Sequence, residues 1–264
     1  GTGGDAKCTF NISTCAAFVV AGAGLKVAKH GNKASSSKCG SADVLKLLGV
    51  NIDANTKIVE ECIQKANIGF LMAPLLHSSM KHAVGPRREI GIKTIFNILG
   101  PLTNPARATR QVIGVYDAKL TDIVAKVLKK LNTEHAFVVY GYDGMDEITT
   151  TDKTKVCELK DGEIKSYFIT HDSFGIKKAE MKDFMVNSPE ESASAITAVL
   201  DGAIGPKRDI VLLNASAAIV TGGGVGNLRD GVRIAAESID SGRAKASLGK
   251  LIELTQNIGD ASKN

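Results

Sequence analysis

Apolar positions along the chain follow two rhythms. From Gln111 onward short apolar runs alternate with helically spaced ones: a strand over Val112–Tyr116, a helix over Leu120–Leu131 and a strand over Ala136–Gly141. Such alternation builds a parallel sheet covered by helices. Thr149–Thr151, Lys155–Leu159 and Glu163–Ile169 then read as short antiparallel strands, with Asp161-Gly162 as a hairpin turn between the last two. The remainder is helical, with apolar residues at helical spacing in Glu190–Leu200, Ile210–Val220, Gly231–Ser241 and Ala246–Gln256.

The first half is divided by polar loops. Ser13 or Thr14 is placed to cap a helix running to about Gly22, and Ala16–Ala21 is apolar all round, which predicts burial. Leu25–Ala28 reads as a strand that delivers Lys29-His30-Gly31-Asn32 at its carboxyl end, where open α/β sheets place their ligands. Ser41 caps a helix with Val44, Leu45, Leu47 and Leu48 on one face. Asn55–Ala66 sets Ile58, Val59, Cys62 and Ile63 against Lys57, Glu60, Glu61 and Gln64, an amphipathic helix. Ile68–Met72 is a strand opening into a helix from Pro74 that Gly85-Pro86 breaks. An apolar element follows Arg87-Arg88, and Pro101 and Pro105 bracket a loop. The class is α/β, a central mainly parallel sheet flanked by helices, with a smaller helical part.

Composition narrows the function. A chain of 264 residues holds one large domain or two small ones, and 44% hydrophobic with 23% charged residues is ordinary for a globular protein. Trp is absent and aromatics make up 5%, which leaves little for a base-stacking nucleic-acid surface. The net charge of +5 serves solubility or draws anionic ligands to a basic cleft. Five scattered cysteines, without a CxxC pair, indicate reduced thiols in the cytoplasm, neither a disulfide framework nor a zinc site. No apolar run approaches the ~20 residues of a membrane span.

Two loops carry candidate chemistry. Gly1-Thr2-Gly3-Gly4-Asp5 and Lys29-His30-Gly31-Asn32 are each followed by hydroxyl-bearing residues, Asn11-Ile12-Ser13-Thr14 and Ser35-Ser36-Ser37-Lys38. A phosphate group needs this set: close backbone approach, N–H donors at a helix start, hydroxyls and a cation. Either loop alone also fits an ordinary tight bend, and His30 alone also fits a sheet-edge filler. The acidic Asp143-Gly144-Met145-Asp146-Glu147 stretch follows a strand. As an isolated pair Asp146-Glu147 reads as a solvated loop; beside a diphosphate it offers the hard oxygens Mg²⁺ takes. Thr221-Gly222-Gly223-Gly224-Val225-Gly226-Asn227 has no following Lys or Ser/Thr and reads as an interhelical turn. Phosphate loops normally follow a strand and nothing precedes Gly1, so a processed, truncated or incomplete N-terminus is expected.

Together, GTGGD, NIST, KHGN, SADVLKLLGVNI, GFLMAPLLH and RREIGIKTIFNILGPLTNP resemble the anthranilate phosphoribosyltransferases of tryptophan biosynthesis, in the nucleoside phosphorylase/phosphoribosyltransferase fold family. The resemblance covers essentially the whole chain. It implies transfer of the 5-phosphoribosyl group from phosphoribosyl diphosphate to the anthranilate amine, with Mg²⁺ as cofactor, diphosphate as leaving group and no protein nucleophile. By motif, Gly1, Thr2, Gly3, Gly4, Asp5, Asn11, Ser13, Thr14, Lys29, Asn32, Ser36 and Ser37 would bind phosphoribosyl diphosphate. His30, Asn32, His77 and Arg87 would line the anthranilate channel, although adjacent Arg88 leaves open which arginine does so. Ser13, Asp146 and Glu147 would be the metal positions. The resemblance further implies one catalytic domain over 1–264, with segments around 40–66 and 74–106 partly in a smaller helical subdomain, the family's N-terminal helices being absent. A homodimer is implied for the full-length protein, with no nucleic-acid or membrane partner. The alternatives are a pyrimidine nucleoside phosphorylase, which shares the architecture and a similar glycine loop, and a non-catalytic nucleic-acid-binding relative.

Overall fold

The computed structural model of the chain describes residues 2, 7–32, 40–72 and 96–257. Most of the first glycine loop, the serine-rich turn and the helix expected from Pro74 lie outside them. In order come α1 (Ile12–Gly22), β1 (Val27–Gly31), α2 (Ser41–Leu47), α3 (Thr56–Lys65), β2 (Ile68–Met72), α4 (Phe96–Leu102), β3 (Arg110–Gly114), α5 (Ala118–Lys130), β4 (His135–Gly141), β5 (Thr154–Lys160) and β6 (Glu163–Ile169). Among the described residues four further α-helices follow: α6 (Pro189–Leu200), α7 (Pro206–Thr221), α8 (Leu228–Asp240) and α9 (Arg243–Gln256). None of the described helices is long and apolar enough to cross a membrane.

The α/β class holds, and the strand pairing is mixed. β1 and β2 form a parallel pair with Lys29 opposite Phe70, while β3-β4-β5-β6 form a second sheet, parallel at β3–β4 and antiparallel beyond. β5 and β6 are joined by the two-residue connection Asp161-Gly162, where both residues have positive φ (50° and 79°), the requirement of a type I′ hairpin.

Side-chain period decides the layers. In β4, Ala136 and Val138 face a core with Val124, Ala125 and Leu128 of α5, while Phe137 and Val139 face Leu213, Ala217 and Val220 of α7. The sheet is therefore covered on both faces. α1 is buried all round because its neighbours surround it: α7, α8 and α9 pack on it, with β1 nearby. Local signals fix the starts of α3, α5 and α6. Asn55 caps α3 through the Ile58 N–H at 3.1 Å, Asp117 caps α5 through Lys119, and Ser188 with Pro189 opens α6.

Several elements depart from the sequence pattern. Lys29, His30 and Gly31 lie within β1, which starts two residues and ends three residues later than expected, so pairing with β2 fixes their backbone. Asn11, ahead of Ser13 and Thr14, is the N-cap residue of α1. Thr149–Thr151 form no strand, although β-branched residues suggested one; the hydroxyls of Thr149 and Thr151 turn to Asp143 instead. Pro101 lies inside α4 rather than at a loop edge, and Leu47 on α2 is half exposed.

Candidate active site

Three elements converge. α1 presents Ser13 in its first turn, β1 presents Lys29, and the loop after β4 presents Asp146 and Glu147. Lys29 Nζ donates to Ser13 Oγ at 3.4 Å. Burial pushes the Lys29 ammonium below the usual lysine range, while Glu147 and then Asp146 pull it back up, so both carboxylates lie within electrostatic reach. Thr2 Oγ1 donates to Asp146 Oδ2 at 3.4 Å and Thr2 N–H to the Gly114 carbonyl at 3.0 Å, which brings Thr2 to the same place.

The acidic loop is buried, contrary to a solvated reading: Asp146 is 3% and Glu147 9% exposed. A tight turn begins it, with Gly144 N–H donating to the Gly141 carbonyl (2.8 Å) and Gly141 N–H to that of Met145 (2.9 Å). Asp143 knots the loop together. Its Oδ1 accepts from Met145 N–H at 3.0 Å, and its Oδ2 accepts from the hydroxyls of Thr149 and Thr151. Beyond the pair, Ile148 N–H donates to Asn214 Oδ1 at 2.9 Å and Asn214 Nδ2 donates to the Ile148 carbonyl at 2.8 Å. Beneath the loop Gly114 leaves room that no other residue could, since a β-carbon there would stand 1.4 Å from the Asp146 carbonyl oxygen.

Adjacent buried carboxylates are costly unless cations offset them. Lys29 brings one positive charge toward two negative ones, an arrangement suited to a divalent cation. Among the described residues no group of three His, Cys, Asp or Glu side chains could hold a metal ion. A cation at Asp146 and Glu147 would therefore complete its shell with hydroxyl, water or ligand phosphate oxygens, the habit of Mg²⁺. The donor set fits that ion.

The remaining positions flank this centre. Thr14 Oγ1 is buried with no hydrogen-bond partner among the described residues. Asn11 turns its Oδ1 to Ser192 Oγ at 2.9 Å, and its own N–H donates to the same oxygen at 3.0 Å. The His30 ring lies by α4, with its Cε1 3.6 Å from where a β-carbon on Gly100 would be. The Asn32 carbonyl accepts from Ala42 N–H at 3.2 Å and Ser41 Oγ at 3.3 Å, which fixes the exit of β1 on α2. Gly31 is enclosed by Ser41 Oγ and the Phe70 ring, so a side chain there would collide. Gly1, Gly3, Gly4, Asp5, Ser36, Ser37, His77 and Arg87 lie outside the described residues.

The structure thus brings Thr2, Ser13, Lys29, Asp146 and Glu147 together and adds supports that were not singled out from the sequence: Gly114, Asp143, Ser192 and Asn214. Asn214 did carry a signal, a carboxamide amid the apolar run of Ile210–Val220. The glycine cluster after Thr221 is an interhelical turn, as expected, held by Arg110 Nη1 donating to the Thr221 carbonyl at 2.8 Å. A cleft of about 380 Å³ nearby, bordered by Phe137, Glu158 and Tyr167, contains none of the candidate residues. Glu158 there is occupied within the fold, by His135 Nε2 at 2.8 Å and Tyr167 OH at 3.0 Å.

Comparison with known proteins gives a consistent result. Residues 1–245 match the family described as "Glycosyl transferase family, a/b domain". An anthranilate phosphoribosyltransferase of Acetivibrio thermocellus is 52% identical over 98% of this chain and 75% of its own length. The crystal structure of anthranilate phosphoribosyltransferase from Thermus thermophilus superposes with a TM-score of 0.91 at 39% identity, over 97% of this chain and 76% of that one. The Saccharomyces cerevisiae enzyme has been solved in complex with PRPP and Mg (TM-score 0.88, 33% identity, 97% of this chain and 72% of that one). The same yeast enzyme has also been solved in complex with 4-fluoroanthranilate (TM-score 0.86, 32% identity, the same coverage).

Proposed function

The chain belongs to the anthranilate phosphoribosyltransferases, within the glycosyl transferase family, and we propose how its own residues perform their reaction. It transfers the 5-phosphoribosyl group of phosphoribosyl diphosphate to the amine of anthranilate, releasing diphosphate, in tryptophan biosynthesis, with Mg²⁺ as cofactor. The observation that carries the residue assignment is the buried acidic pair Asp146-Glu147 beside Lys29 at the N-terminus of α1.

In this reading Lys29, Ser13, Thr14, Asn11 and the first N–H groups of α1 bind phosphate oxygens, aided by the positive end of the helix. Thr2 and its loop, Gly1 and Gly3-Gly4-Asp5, hold the diphosphate end, and Asn32 with Ser36 and Ser37 holds the phosphoribosyl end. Asp146, Glu147 and Ser13 would hold Mg²⁺, whose chemistry when bound is neutralisation of charge on the departing diphosphate. His30, Asn32, His77 and Arg87 orient anthranilate, the forked guanidinium suiting a carboxylate. An aromatic amine is largely unprotonated near neutral pH, so these residues need only aim its nitrogen at the ribose C1 and exclude water. No protein nucleophile takes part.

The same reading includes a smaller helical subdomain to which segments around 40–66 and 74–106 contribute in part, and a homodimer in the full-length protein, testable by light scattering. It also assigns a cytoplasmic location, supported by the unbridged thiols of Cys8, Cys15, Cys62 and Cys157. The test of function is loss of anthranilate fluorescence on mixing the protein with phosphoribosyl diphosphate and Mg²⁺. Persistent fluorescence combined with phosphorolysis of thymidine, or with salt-sensitive DNA binding, would replace this reading with one of its rivals.

A further inference from the structure

We infer that Asn214 is a positioning residue for the metal-binding pair, a role that rests on the assignment of Asp146 and Glu147 above. It sits mid-helix in α7, 8% exposed, in a helix whose neighbouring residues are apolar and buried. A carboxamide in such surroundings is costly unless it is fully hydrogen-bonded. Asn214 is so bonded, and chiefly to the backbone of one residue outside its own helix. Its Oδ1 accepts from Ile148 N–H at 2.9 Å, while its Nδ2 donates to the carbonyls of Ile148 and Ile210, each at 2.8 Å.

The grip is specific in two ways. Only an amide side chain offers a donor and an acceptor together at this length; aspartate lacks the donor, leucine lacks both groups, and glutamine is a methylene longer. The residue gripped directly follows Glu147 and is itself 2% exposed, anchored by Phe137, Val139, Leu213 and Ala217. The acidic pair is thus suspended between the Asp143 knot on one side and Asn214 on the other.

α7 also packs along α1, whose first turn carries Ser13. Asn214 therefore ties the carboxylates to the same support that holds the hydroxyl and phosphate-binding end of the site. Groups behind the metal ligands typically govern metal affinity by about 10- to 100-fold.

The test uses the full chain and three variants: Asn214→Ala, Asn214→Asp and, as reference, Glu147→Gln. Calorimetry follows binding of phosphoribosyl diphosphate as Mg²⁺ is titrated, and kinetics give the Mg²⁺ half-saturation and the KM for anthranilate. Both Asn214 variants are expected to need about tenfold more Mg²⁺ for binding and turnover, with the KM for anthranilate unchanged. A general loss of packing would lower the melting temperature without this selective shift. Should Glu147→Gln raise the Mg²⁺ requirement while the Asn214 variants leave it alone, the positioning role is wrong and the metal assignment stands. Should Glu147→Gln itself leave it alone, the metal assignment and the positioning role both fall. Amide hydrogen exchange of Ile148 in the unmodified protein needs no variant to fold. Protection matching the core amides of α7 is expected, and exchange at the rate of an open loop overturns the inference.

Discussion

Alanine at Gly114 tests whether the acidic loop must lie where it does. Gly114 ends β3 and has no positive φ, so the substitution strains no backbone angle and its whole cost is steric. A β-carbon there would stand 1.4 Å from the Asp146 carbonyl oxygen and 2.4 Å from its carbonyl carbon. Ordinary contact lies near ~3.5 Å, so the obstructing peptide must retreat by on the order of 2 Å. The obstacle is backbone, which no rotamer change can relieve, and its displacement carries the Asp146 and Glu147 carboxylates with it. Overpacking of this kind costs about 1–3 kcal/mol of stability. Misplacing reacting groups by ~1 Å costs about 100-fold in rate. The expected result is a folded protein with kcat/KM for phosphoribosyl diphosphate lowered by about 100-fold and a raised Mg²⁺ requirement. Gly249→Ala is the control: it is an exposed position in α9 where a β-carbon meets nothing within 4 Å. That change should add about 0.5–1 kcal/mol of stability and leave kinetics alone. Wild-type kinetics in Gly114→Ala would refute the argument, since the loop would then be functional in a different place.

Two further predictions address separate features. Thr14→Val removes a buried hydroxyl without a partner among the described residues, so denaturant midpoints should rise by the equivalent of about 1 kcal/mol. The KM for phosphoribosyl diphosphate should rise at the same time, and an unchanged KM would remove Thr14 from the phosphate site. Acid stability follows from Asp122 and Asp240, whose carboxyls are held below the usual range by hydrogen bonds from Lys155 at 2.6 Å and from Arg208 at 2.7 and 2.8 Å. A depressed folded pKa contributes stability above the unfolded value, near ~3.9, and that contribution is lost as pH falls through the folded value. Urea midpoints of the wild type should therefore fall more steeply below about pH 4 than those of Asp122→Asn/Asp240→Asn, and identical slopes would contradict the pairing.

Features of this molecule that depend on local chemistry were legible in the sequence. Ile68–Met72 occupies the expected residues, Asn55 begins a helix, and Asp161-Gly162 makes a hairpin, because apolar period, capping and turn preferences act over a few residues. Ser13, Lys29 and the acidic pair stood out because phosphate and Mg²⁺ demand particular side-chain types. What stayed hidden depends on distant partners. Thr149–Thr151 carries strand-forming residues, yet the Asp143 carboxylate captures the hydroxyls of Thr149 and Thr151 and the segment forms no strand. Gly114 looks like any strand-ending glycine until the Asp146 backbone, from a loop beyond β4, is seen pressed against it. Asn11 reads as a phosphate ligand, yet part of its bonding is taken up by Ser192, 181 residues away. Long-range contacts of this kind leave no periodic trace along the chain.

The central claim, that Asp146 and Glu147 hold the Mg²⁺ serving the departing diphosphate, is tested most directly by Asp146→Asn combined with Glu147→Gln. Both changes keep side-chain volume, remove the charge and replace one acceptor oxygen of each group by an NH2 donor. Anthranilate fluorescence is followed with phosphoribosyl diphosphate present and Mg²⁺ raised to saturation. A bound metal contributes several kcal/mol of charge stabilisation in such reactions, so turnover is expected to fall by at least about 100-fold and not to recover with added Mg²⁺. Near-normal turnover at saturating Mg²⁺ would contradict the account.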